Sequence, residues 1–100
     1  MLMAHFLYKL YPPRPTFPDD MTEAEGKVMQ EHIAYWKDLL QKKIVVIFGP
    51  VMDPKGIYGI GVLEVADENA VRNISGNDPA IKSKIGFRSE YFLMPDAIMR

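Results

Sequence analysis

Residues 44–65 read IVVIFGPVMDPKGIYGIGVLEV, and they decide the fold. IVVIF is a short run of β-branched, aliphatic and aromatic residues, closed by Gly49–Pro50. MDPKG then carries the marks of a turn: Pro54 presets its own φ, and Gly56 is free to take positive φ. IYGIGVLEV is a second strand-like run, so the stretch predicts a hairpin with strands at 44–48 and 57–63.

Upstream of the hairpin, 22–42 has the apolar spacing of an amphipathic helix. Thr22 and Glu25 stand where a capping box would satisfy the first free N–H groups. Before it, MAHFLYKLY reads as a strand stopped by Pro12–Pro13. The connector PPRPTFPDDM holds four prolines, which bar it from a sheet interior. It is expected to be a stiff loop over a pocket mouth, outside the core. Downstream, DENAVRNIS predicts a short helix capped by Asp67 and ended by Gly76. NDPAIKSK is a connector with room for a helical turn from Pro79, and FRSEYFLMP is the last strand. The order β-α-β-β-α-β is the ferredoxin-like pattern. It predicts an α+β domain over 1–100, with two helices on one face of a four-stranded antiparallel sheet.

The other sheet face needs a cover. IVVIF is apolar at every position and IYGIGVL carries no charge, whereas a solvated antiparallel face alternates. A chain of 100 residues cannot wrap that face itself, so a homodimer is expected.

Composition bounds the function. Hydrophobic residues make up 48% and charged residues 25%, the balance of a globular chain. A net charge of −1 argues against nucleic acid as a partner, since phosphate binding needs a basic surface. The absence of cysteine excludes disulfides, thiol nucleophiles and thiolate metal sites. MLMAHFLYKLYPPRP is broken by His5 and Lys9 before a signal-peptide core forms, and no stretch is apolar for the length of a membrane span. A soluble, cytoplasmic protein without a membrane partner is expected.

The helix contains EHIAYWKDLL, residues 31–40, and His32 interrupts its apolar stripe. At about 100° per residue, His32 falls between Leu39 and Trp36, with Val28, Met29 and Leu40 on the same side. It therefore faces the sheet or a pocket against the sheet. One reading is a core histidine bonded to a main-chain carbonyl. The other is a general acid/base, because an imidazole that stays neutral in a pocket is a usable base. That role needs a carboxylate partner. Asp53 and Asp78 are the candidates, each followed by proline, although Asp-Pro is also ordinary turn chemistry.

His32, sixteen residues, then GPVMDPKG, followed by NDPAIKSKIG and a terminal strand, together resemble the YciI-like (YCII-related) family. The resemblance covers nearly the whole chain. It implies a dimeric α+β barrel and a pocket between helix and sheet that takes a small-molecule ligand. On matching positions it implies His32 and Asp78 as an acid/base pair, with Gly49 and Pro50 at the strand end by the pocket; Asp53, in the hairpin turn, stays the second candidate partner, and Trp36, on the same stripe as His32, is expected as an apolar wall. It also implies a cofactor-free enzyme of lyase, dehydrochlorinase or isomerase type; apart from the resemblance, a metal site from His5, His32 and a carboxylate is not expected, since His5 lies on a separate strand. Lys42–Lys43 stands where many relatives have glycine, and Ala80 where many have an aromatic. The alternative is a small-ligand-binding or accessory dimer without turnover. An RNA-recognition domain shares the element order, but Ile60 stands where it wants an aromatic. GIYGIG is not a dinucleotide fingerprint, because its glycine order is wrong and no helix follows. Gly59 and Gly61 are expected to mark a bulge or a close backbone approach.

Overall fold

The computed structural model describes residues 3–100. The elements are β1 (Ala4–Tyr11), α1 (Glu23–Gln41), β2 (Val45–Val51), β3 (Tyr58–Val65), α2 (Glu68–Asn77), α3 (Pro79–Lys82) and β4 (Arg88–Leu93). The strands form one antiparallel sheet in the order β2-β3-β1-β4, which fits the ferredoxin-like arrangement. Alternation sets its inner face: Phe6, Tyr8 and Leu10 of β1 and Leu63 and Val65 of β3 are buried with Trp36 and Leu39 of α1 and Val71 of α2.

Local chemistry explains most boundaries. Thr22 Oγ1 accepts from the Glu25 N–H at 3.1 Å, and Glu25 Oε1 accepts from the Thr22 N–H at 2.9 Å, so the capping box starts α1. Asp67 caps α2 through the Ala70 N–H. Two expectations are corrected. β2 does not close at Gly49–Pro50 but pairs on to Val51, because it is an edge strand on which a proline without N–H is tolerated. α2 does not stop at Gly76. It runs to Asn77, and the extended backbone that Pro79 imposes on Asp78 ends it. The helical turn that the connector left room for follows at once as a third helix, α3, with Pro79 in its first turn.

The proline-rich connector is also more than a surface loop. Phe17 is buried, and its ring packs edge-on against Phe87 with centroids 5.5 Å apart. Arg14 makes a two-pronged ion pair with Glu25 at 2.8 Å per contact and donates to Asp20 at 2.9 Å, fastening the connector to the start of α1.

The outer sheet face is mixed rather than uniformly dry. Ile47, Val62, Leu7 and Phe92 align in register as an apolar row across all four strands. Lys9 and Glu90 lie beside that row, and His5 pairs with Glu64 at 3.0 Å. Ile47 is 59% and Phe92 50% exposed. Leu40, expected on the buried stripe of α1, is exposed as well.

Candidate active site

A cavity of about 440 Å³ lies between α1, the inner sheet face and the proline-rich connector. Two glycines on β3 shape its surroundings. At Gly61 a Cβ would come within 2.5 Å of the Trp36 ring, so the absence of a side chain lets that ring lie against the strand. At Gly59 the nearest atoms to such a Cβ are 3.8 Å away. Gly59 lines the cavity, and its missing side chain leaves space at the floor. Six of the lining residues are the aromatics Tyr8, Phe17, Trp36, Phe48, Tyr58 and Phe87.

His32 reaches this cavity from α1, and its side chain is 12% exposed. Its Nδ1 lies 2.8 Å from Asp78 Oδ1. Asp78 is fully buried, at 0% exposure. The same Oδ1 accepts the Ala80 N–H at 2.9 Å, where Asp78 caps α3. Oδ2 accepts the Trp36 Nε1–H at 2.8 Å and, at a longer 3.4 Å, the Tyr8 hydroxyl. Tyr8 continues to Ser75 at 3.4 Å, and Ser75 to Ser89 at 2.8 Å. Trp36 and the backbone N–H can only donate, so the carboxylate acts as acceptor on both oxygens. The histidine facing it accordingly carries its proton on Nδ1. Nε2 makes no hydrogen bond to the protein among the described residues. This leaves an oriented imidazole whose second nitrogen is available to a ligand.

The surroundings keep the neighbouring phenols neutral. Burial first, and then the Asp78 charge, pushes the Tyr8 hydroxyl well above the ordinary phenol range. The same two causes push Tyr35, which donates to the Ile74 carbonyl at 2.8 Å, up to about 12. Tyr8 is thus a donor to Asp78 and not a base.

The two candidate carboxylates differ in placement. Asp78 meets His32, whereas Asp53 sits in the β2–β3 turn and accepts the Lys55 N–H at 2.9 Å within that turn. Gly49 and Pro50 line the cavity, and so does Trp36. Trp36 is more than an apolar wall, since its indole N–H holds the carboxylate. Tyr8, Ser75 and Ser89 were not singled out from the sequence. For Tyr8 the available signal was a hydroxyl in the inward series Phe6–Tyr8–Leu10. His5 is engaged with Glu64, and among the described residues no cluster of three potential metal-ligating side chains occurs.

No curated protein matches the chain. Among solved structures, an uncharacterized protein from Thermotoga maritima is similar in fold, with a TM-score of 0.52 at 10% identity, covering 91% of this chain and 95% of that one. The family model of the YCII-related domain matches residues 5–95, which include all of β1 but its first residue, the His32 helix, the hairpin, Asp78 and β4. On that match the chain belongs to the YCII-related family.

Proposed function

We propose that this protein is a general acid/base enzyme acting on a small, largely apolar molecule, with His32 as the catalytic residue and Asp78 as its orienting partner. The observation that carries the reading is the 2.8 Å contact between Nδ1 of His32, which lines the cavity, and the buried Asp78, with Nε2 unbonded to the protein among the described residues. In the reaction, Nε2 takes a proton from an acidic C–H or O–H of the substrate. The imidazolium so formed is stabilised through Nδ1–H by the carboxylate, which Trp36 and the Ala80 N–H hold in position. Nε2 then returns the proton, to another substrate atom in an isomerisation or to a leaving group in an elimination. The apolar walls exclude water and strengthen the charge interaction while it lasts. In this reading two copies pack their outer sheet faces together across the Ile47–Val62–Leu7–Phe92 row, as a dimeric barrel.

The test is proton exchange. A panel of small cyclic ketones, lactones and phenols is incubated with the protein in D2O and followed by NMR. The wild type should catalyse deuterium incorporation into at least one member, and His32→Asn should slow it by roughly a hundredfold or more with folding nearly intact. Binding without exchange in the wild type would instead make the chain a small-ligand-binding protein. No exchange, together with a loss of about 1–3 kcal/mol in His32→Asn, would make His32 a structural residue.

A further inference from the structure

The cavity carries one fixed cation that neither the fold nor the proposed chemistry uses. Lys37 lines it from α1, one turn beyond Ile33, and is itself exposed, which puts it at the rim. Of the nineteen lining residues none is Asp or Glu, and Lys37 alone bears a permanent charge. Its helical neighbours at three and four residues are Ile33, Ala34, Leu40 and Gln41, none of them acidic. The other lysines of the helix region are placed differently. Lys27 has Glu23 and Glu31 four residues to either side, and Lys42 pairs with Asp38 at 2.8 Å. Among the described residues Lys37 makes no ion pair.

We propose that Lys37 is an anion-binding subsite, and that the ligand is an apolar body carrying one carboxylate, sulfonate or comparable anionic group at its solvent end. This rests on the cavity being the ligand site, as in the function proposed above. The body fills the aromatic chamber while the anion stays at the rim, where it keeps part of its hydration. The four-carbon stem of lysine lies along apolar surface and delivers the ammonium to that rim. The low-polarity walls make the pairing stronger than it would be between two fully solvated charges. No carboxylate on the lining competes for the ammonium or repels the anion. The subsite discriminates against cationic ligands and orients the anionic ones, with the reacting end turned inward toward His32.

Two dyes that share an apolar body test this directly. Anilinonaphthalene sulfonate is anionic; N-phenylnaphthylamine is its neutral counterpart. Both report binding by fluorescence. Lys37→Met, which keeps the stem and removes the charge, should weaken the sulfonate about fivefold and change the amine by less than about twofold. Lys37→Arg should retain sulfonate binding, Lys37→Glu should weaken it further, and added salt should narrow the difference between wild type and Lys37→Met. Equal losses of both dyes in Lys37→Met, or unchanged sulfonate binding, would overturn the subsite and leave the cavity as a ligand site. Failure of both dyes to bind the wild type would overturn the subsite and the cavity reading together.

Discussion

At the scale of single residues, Asp78 and the two β3 glycines make the sharpest expectations. Asp78→Asn retains one acceptor oxygen and turns an amide N–H2 toward groups that can only donate. At least one buried N–H then loses its partner, at about 1–3 kcal/mol, and the imidazole loses its orientation. Denaturant melts should register that loss, and any turnover of the wild type should fall by roughly a hundredfold or more. The glycines should separate. Gly61→Ala forces a Cβ to within 2.5 Å of Trp36, displacing the ring that holds Asp78, and should cost about 1–3 kcal/mol. At Gly59 a Cβ meets nothing nearer than 3.8 Å, and Gly59→Leu, its side chain directed into the cavity, should abolish anilinonaphthalene sulfonate binding while the far-UV circular dichroism spectrum stays unchanged. Equal stability of the Gly61→Ala protein and the wild type would contradict the close approach.

At the scale of elements, the connector between β1 and α1 is held by chemistry as well as by packing. The Arg14 guanidinium, with the Thr22 N–H as a second donor, holds the Glu25 carboxyl down at about 2, against an ordinary value of 4.5. A depressed carboxylate stabilises the fold above its unfolded pKa and loses that contribution as pH falls toward the folded value. The Arg14–Glu25 contribution should therefore be fully present above about pH 4.5 and fade between there and about pH 2. Melting temperatures of wild type and Arg14→Ala should differ most near neutral pH and converge toward pH 2. A constant gap across that window would mean that Arg14 acts through contacts that do not titrate, its stem packing and its hydrogen bond to the Asp20 carbonyl. Because Phe17 is buried against Phe87, removing residues 14–18 should lower the melting temperature as well as weaken binding. Read from the sequence alone, as a loop outside the core, the same deletion is expected to cost binding more than melting temperature.

At the scale of the whole molecule, the apolar row across the outer sheet face is the feature a monomer leaves uncovered. Light scattering should give at least twice the chain mass of 11.4 kDa. Val62 stands in the middle of the row, on the face away from the helices. Val62→Glu should therefore dissociate the assembly without unfolding the chain, because the buried core is not touched. Val46, beside the irregularity in β2, is 44% exposed and should have a smaller effect. A wild-type monomer at micromolar concentration would sink the barrel arrangement.

The elements were legible in the chain because their determinants are local. Thr22 and Glu25 start α1 with their own side chains, Pro54 and Gly56 make the hairpin turn, and two-residue alternation in β1 selects Phe6, Tyr8 and Leu10 for the inner face. The same locality made His32 conspicuous, since a helical wheel needs no knowledge of the partner. The choice between Asp78 and Asp53 was not local. Both precede a proline, and only the packing of α3 against α1 brings one of them, across 46 residues, to the imidazole. The Trp36 N–H on that carboxylate, the Phe17 ring in the core and the continuation of β2 through Pro50 have the same origin. Each depends on what another segment of the chain presents at that point, through hydrogen bonding, ring packing or the edge position of a strand. No window of neighbouring residues contains that information; the folded chain supplies it by bringing distant segments within a few ångströms.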